Sequence, residues 1–171
     1  YAPRPRFNVL NHGDLWTNNI LFRYDDLGRV LEARLVDFQL CRYGSPGIDL
    51  NFFIFSSVQE DVRRGKMEEL TATYLDTLNR TLQDVGCGEQ QLTAEQLREE
   101  LDFTRFHGFF VLFIMLPLIY ADPNENIHLL MEQAFSGDEE AVEKQYKGKY
   151  FKQFSKSVLF ELKECLLEVF C

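Results

Sequence analysis

The spacing of apolar residues along the chain changes character near residue 47. Before that point they come in short runs: Val9 and Leu10, then Ile20, Leu21, Phe22 and Tyr24, then Val30, Leu31, Leu35, Val36 and Phe38. Asp25-Asp26-Leu27-Gly28 parts the second run from the third with residues that favour a tight turn. The pattern predicts a β-hairpin over about 19–38, with the Pro-rich residues 1–6 (YAPRPR) irregular ahead of it.

After Tyr43-Gly44-Ser45-Pro46-Gly47 a helical period takes over. Ile48–Val58 is apolar enough for a buried helix. Over 61–85, Met67, Leu70, Tyr74, Leu75, Leu78 and Leu82 recur at three- and four-residue spacings, the mark of an amphipathic helix. Gly86-Cys87-Gly88 stops it. Thr93, with Gln96 three residues on, forms a capping box. It opens a helix that runs towards Tyr120 and bends near Pro117. Asp122-Pro123-Asn124 breaks the chain. Weaker helices are expected over 125–135 and 138–147, the second with Asp138-Glu139-Glu140 as an acidic first turn, and a last amphipathic one over 151–169. A small hairpin followed by a helical bundle is an α+β fold, mainly α, and 1–171 reads as a single domain.

With 171 residues, 46% of them hydrophobic, the chain is long enough to bury a core of its own. A net charge of −9 repels phosphate backbones and argues against nucleic-acid binding. It leaves room for a nucleotide whose phosphates a divalent metal bridges to carboxylates. Cys41, Cys87, Cys165 and Cys171 show no Cys-x-x-Cys spacing and are too sparse for a disulfide scaffold. They read as reduced thiols of a cytoplasmic protein. The N-terminus has no signal-peptide pattern. The most apolar run, Phe109–Ala121 with Pro117 inside it, is shorter than the ~18 residues that span a bilayer, so no membrane span is expected. The chain starts at Tyr1 with a dense polar motif close behind, which suggests a fragment lacking upstream sequence.

That motif is Leu-Asn-His-Gly-Asp-Leu-Trp-Thr-Asn-Asn-Ile-Leu-Phe, residues 10–22. A turn rich in Asn, Asp and Gly would account for it blandly. The hairpin gives it a sharper reading. Asn19 starts the outgoing strand and Asp37 ends the return strand, so antiparallel pairing about Gly28 brings both to one open end, with Asp14 in the loop that feeds it. A carboxylate with an amide oxygen is a typical partial shell for Mg²⁺, which completes its coordination with waters and substrate phosphates. A separate carboxylate nearby can accept a proton from a hydroxyl nucleophile.

His12-x-Asp14 with Asn19 five residues after the Asp, followed by Asp37-Phe38-Gln39, resembles the catalytic segment shared by protein kinases and the aminoglycoside phosphotransferase and choline kinase group. The longer string His-Gly-Asp-Leu-Trp-x-Asn-Asn-Ile-Leu-Phe, with Val-Asp-Phe-Gln and then Ser-Pro-x-x-Asp-Leu, is similar to the ecdysteroid kinase-like (CHK kinase-like) branch. The resemblance covers roughly residues 7–53. It implies the C-terminal lobe of a protein kinase-like fold, with the catalytic segment over 7–53, a helical remainder over 54–171 and the N-terminal lobe absent. It implies an ATP- and Mg²⁺-dependent small-molecule kinase that transfers the γ-phosphoryl group to a substrate hydroxyl, of an ecdysteroid or similar alcohol. Asp14 would be the catalytic base, and Asn19 and Asp37 would hold Mg²⁺ on the ATP phosphates. His12 would brace the loop, and Asp49 would steady it through its backbone or serve as a helix N-terminal charge. With one lobe present, the isolated chain is expected to bind ATP weakly and catalyse little.

Two positions depart from the protein kinase pattern. Trp16 stands where protein kinases place a Lys, which disfavours a protein substrate, and Gln39 replaces the glycine of Asp-Phe-Gly. Trp16 is expected to pack beneath the loop, and His107, among Phe103, Phe106 and Phe110, to sit in a core or groove. His128 reads as solvent-facing. The competing class is a non-catalytic kinase-like binding or interaction module, against which the retention of Asp14, Asn19 and Asp37 argues. A two-metal phosphoesterase would need further His and Asp ligands in a motif, and His107 and His128 supply none.

Overall fold

The computed structural model describes residue 4, residues 7–110 and eight single positions between 126 and 152. The chain divides into two compact units, Tyr1–Gly108 and Phe109–Cys171. The helices expected over 125–135, 138–147 and 151–169, and the bend at Pro117, fall outside the described residues apart from single helical positions such as Leu129 and Glu132.

The hairpin consists of strands β2 (Ile20–Tyr24) and β3 (Val30–Leu35), paired antiparallel from Ile20–Leu35 to Arg23–Glu32, with a bulge at Arg23/Tyr24 before Tyr24 meets Val30. Its turn is tied by one side chain. Asp25 accepts the N–H groups of Leu27 and Arg29 at 3.0 and 2.8 Å, and Gly28 takes the left-handed backbone that closes the turn. The ordered strands are shorter than the expected span. Asn19 ends a 3₁₀ turn over Thr17–Asn19, and Phe38 belongs to a second one over Phe38–Leu40.

A second small sheet frames the first. Strand β1 (Val9–Asn11) pairs antiparallel with β4 (Arg42–Gly44), so the hairpin is an excursion between two strands that meet at its base. The sequence reading has only an apolar approach at Val9–Leu10. Three-residue strands this far apart carry no local period to reveal them.

Helix α1 (Gly47–Ser57) follows directly, its entry set by Ser45, whose Oγ accepts the Gly47 N–H at 3.2 Å. It buries Ile48, Phe52 and Ile54. Helix α2 (Glu60–Asp84) leaves helical geometry at Lys66, beside Gly65. It ends on Gly86 in the left-handed region, with Cys87 N–H bonded to Leu82 and Gly86 N–H to Gln83, a Schellman closure. Helix α3 (Ala94–Phe110) opens on the expected box: Gln96 N–H donates to Thr93 Oγ1 and Thr93 N–H to Gln96 Oε1.

The core lies where α1 meets α3. A Cβ at Gly47 would stand 2.2 Å from Thr104 Oγ1 and 2.5 Å from the Glu100 carbonyl, so the helices cross with backbone nearly in contact. Asn51, inside that contact, donates Nδ2 to both the Leu101 carbonyl and Thr104 Oγ1 at 2.9 Å. Burial alone would penalise this amide; the two bonds offset the loss of water and fix the register between the helices.

Candidate active site

The polar loop sits between β1 and β2 and is fixed from three sides. From α1, Asp49 turns its carboxylate onto the backbone: Oδ2 accepts the His12 N–H at 2.5 Å and Oδ1 the Gly13 N–H at 2.8 Å. Burial pushes the Asp49 carboxyl above the usual aspartate range, opposed by those two N–H donors and by the nearby Arg42 guanidinium. Its charge also adds to burial in raising the Tyr74 hydroxyl to about 12. From β1, the buried Asn11 accepts the Asp49 N–H on Oδ1 at 3.4 Å and donates Nδ2 to the Gly44 carbonyl at 3.2 Å. From the end of α1, Ser57 Oγ accepts the Thr17 N–H at 2.9 Å.

Gly13 is the tightest point of the loop. Its φ is +83°, and a Cβ there would lie 2.0 Å from the Leu40 carbonyl oxygen. Arg42 reaches back to donate to the Gly13 carbonyl at 3.2 Å.

Of the candidate residues, Asp14 and Asn19 are in direct contact. Asn19 is 8% exposed, and its Nδ2 donates to both the carboxylate and the backbone carbonyl of Asp14 at 2.9 Å. With Nδ2 so engaged, the amide's only metal-competent atom, Oδ1, faces the other way. Asp37 enters through the backbone. Val36 N–H bonds to the Asn19 carbonyl at 3.0 Å, which places Asp37 one residue beyond the ladder. Asp37 is exposed, has φ of +67° and ψ of +63°, and forms no hydrogen bond to Asp14 or Asn19. His12 lies 5% exposed beneath, its Nε2 2.9 Å from the Val36 carbonyl and its ring centroid 4.9 Å from that of Phe38. A carbonyl only accepts, so Nε2 carries the proton, and the buried Nδ1 has no hydrogen-bond partner among the described residues.

Trp16 is half-buried with its indole N–H out of reach of solvent. His107 packs 6.0 Å from the Phe52 ring, and burial first, then the charge of Arg42, lowers its pKa. Asn11, Ser57 and Arg42 escape the sequence reading. A single asparagine in an apolar run reads as a turn residue, and the other two act only through loop backbone.

The donor set suits a hard cation. Asn19 Oδ1 and the Asp37 carboxylate are oxygen donors of the kind Mg²⁺ takes in pairs, and no cluster of three or more His, Cys, Asp or Glu occurs among the described residues to suggest a softer or all-protein site. A groove of about 750 Å³ lined by Phe7, Leu10, Tyr43, Leu82, Glu89 and Gln96, among others, shares no residue with this constellation. No helix among the described residues is long and apolar enough to cross a membrane.

A stretch of 42 residues is 43% identical to a 4-hydroxytryptamine kinase from Psilocybe cyanescens. It covers 24% of this chain and spans only 12% of that relative's length. No solved structure matches the chain. The sequence model of the ecdysteroid kinase-like family matches residues 2–87, half of the chain and the whole of the loop, the hairpin and α1. The chain belongs to the ecdysteroid kinase-like family.

Proposed function

We propose that this chain carries the catalytic side of an ATP- and Mg²⁺-dependent small-molecule kinase that phosphorylates a substrate hydroxyl. The observation that carries the reading is the Asp14–Asn19 contact at 2.9 Å on a loop whose backbone Asp49 holds at two successive N–H groups. Asp14 is the proton acceptor for the attacking hydroxyl. The Asn19 amide holds one carboxylate oxygen and so orients the other towards the nucleophile. His12 fixes the Val36 carbonyl and with it the start of the Asp37 turn. Asn19 and Asp37 are the residues that would hold Mg²⁺, whose part is to neutralise charge on the ATP phosphates. The acceptor is an alcohol of the ecdysteroid type or similar. Family membership supports this class, and the kinase relative adds 4-hydroxytryptamine to the compounds worth testing.

The test is ATP consumption by the full-length protein against a panel of alcohols that includes an ecdysteroid and 4-hydroxytryptamine. Asp14→Asn keeps the shape of the side chain but removes the proton acceptor, and turnover should fall by about 100-fold or more. Undiminished turnover in that variant would remove Asp14 from its role.

A further inference from the structure

The groove of about 750 Å³ has no part in the scheme above, yet its walls are held in place. Leu10 and Tyr43 are register partners on β1 and β4, so both project from one face of that sheet, 75% and 61% exposed. Leu82 of α2 and the buried Leu92 join them in the lining. Asn79 pins Leu92 to α2, accepting its N–H at 3.0 Å and donating to its carbonyl at 2.8 Å. The charged residues of the lining are all acidic. Glu89, Glu99 and Glu100 belong to it, and no Lys, Arg or His does among the described residues. Glu100 is 3% exposed. Its Oε1 accepts the Arg4 Nε–H at 3.2 Å, from a guanidinium that lies 3.8 Å over the Phe103 ring and is not part of the lining. Its Oε2 is shut off from solvent with no hydrogen-bond partner among the described residues. A carboxylate taken out of water in this way is costly unless positive charge answers it, and its field is little screened on the buried side.

We propose that this groove is a second binding site, which takes a small amphipathic ammonium compound: one protonated amine on an apolar body. Its volume lies within the range of small-molecule pockets, about 300–1,000 Å³. The apolar body rests on Leu10, Tyr43, Leu82 and Leu92. The ammonium is drawn to the acidic lining, where Glu89 and Glu99 are exposed and Glu100 is set into the wall. Contact with Oε2 is not required, because charge acts through the wall. The same lining repels anions, so nucleotides and phosphorylated compounds are disfavoured there. The site stands apart from the kinase reading, since it shares no residue with Asp14, Asn19 or Asp37.

The experiment is calorimetric titration of 2-phenylethylamine into the full-length protein without nucleotide, set against its N-acetyl derivative, which keeps the apolar body and loses the charge. The amine should bind at least about tenfold more tightly than the derivative, and Glu100→Gln should weaken the amine by about three- to tenfold. Leu10 is exposed, so Leu10→Ser should fold, and it should weaken both compounds by about two- to fivefold. Arg4→Gln removes the cation that competes for Glu100 and should bind the amine at least as tightly as wild type. Both Glu100→Gln and Arg4→Gln break the Arg4–Glu100 pair, so an equal loss in the two would mark that pair as merely structural and overturn the site. Asp14→Asn should bind the amine as wild type does; a loss there would place the amine at the catalytic loop and overturn the groove. Wild type that binds no amine, that binds both compounds equally, or whose affinity survives Glu100→Gln and Leu10→Ser intact overturns it as well.

Discussion

The loop and the hairpin are neighbours in sequence and hold the two halves of one candidate site, yet they are built on opposite terms. At the base of the loop the polar groups are buried and its backbone is bonded: Asn11 is 1% exposed, His12 5% and Ser45 2%, and the N–H groups of His12 and Gly13 each have a carboxylate partner. On the hairpin every large apolar residue from Leu21 to Leu35 lies open, Leu21 at 57% and Leu31 at 56%. A two-stranded ribbon of this kind is marginal by itself. What it contributes is register: one backbone bond, Val36 to Asn19, sets where Asp37 begins. Polar bracing from α1 and β1 gives the loop its geometry, while the ribbon delivers a single residue to its edge.

The sharpest way to break this contrast is Gly13→Ala. The added methyl meets the Leu40 carbonyl at 2.0 Å in a backbone region that L-residues avoid, and Leu40 lies two residues before the strand that pairs with β1. Strain and clash together should destabilise the protein by about 3 kcal/mol or more, read from urea unfolding. A loss below about 1 kcal/mol would mean that the loop is not over-determined as described.

How much of this was readable in advance follows the same division. Asn19 and Asp37 could be placed at one end of the hairpin because Asp25-Asp26-Leu27-Gly28 names its turn and the apolar runs fix the register around it. The Thr93–Gln96 box was readable because both partners lie within one helical turn. The β1–β4 pair was not, and neither was the role of Asn11. Each depends on segments brought together only after the hairpin has folded back, and a three-residue strand has no period to announce itself. The Asp14–Asn19 spacing could be seen in the sequence; the fact that the amide donates to the carboxylate could not.

Asp49→Asn sharpens the contrast at a smaller scale. One carboxylate now serves two N–H donors with its two oxygens, and an amide keeps an oxygen facing one of them while its NH2 group faces the other, so the loop should loosen and turnover should drop by on the order of tenfold. Stability should follow a different course. Burial raises the Asp49 pKa, so the folded state holds this proton more tightly than the unfolded chain. The stability it contributes is complete below the unfolded value of about 3.9 and is lost as pH rises through the folded one. Asparagine has no such loss. The stability difference between wild type and Asp49→Asn should therefore shrink or reverse between pH 4 and pH 7, measured by urea unfolding at each pH. A difference that grows with pH would show that the charged form is the favoured one in the fold, and that bracing of the loop costs nothing.

The smallest effect is expected on the ribbon, and it tests the other half of the comparison. Leu31→Ser removes an apolar side chain that is 56% exposed and far from the α1–α3 core. If the hairpin supplies register and little burial, stability should change by no more than about 0.5 kcal/mol. Leu31 sits on β3 and outside the Ile20–Leu35 and Val36–Asn19 bonds that carry Asp37 to the site, so the loss of its side chain leaves those bonds intact. A destabilisation of about 2 kcal/mol would be the value for a buried leucine. It would show that the ribbon's apolar face is covered in the folded protein, and that the loop and the hairpin are held by the same kind of force after all.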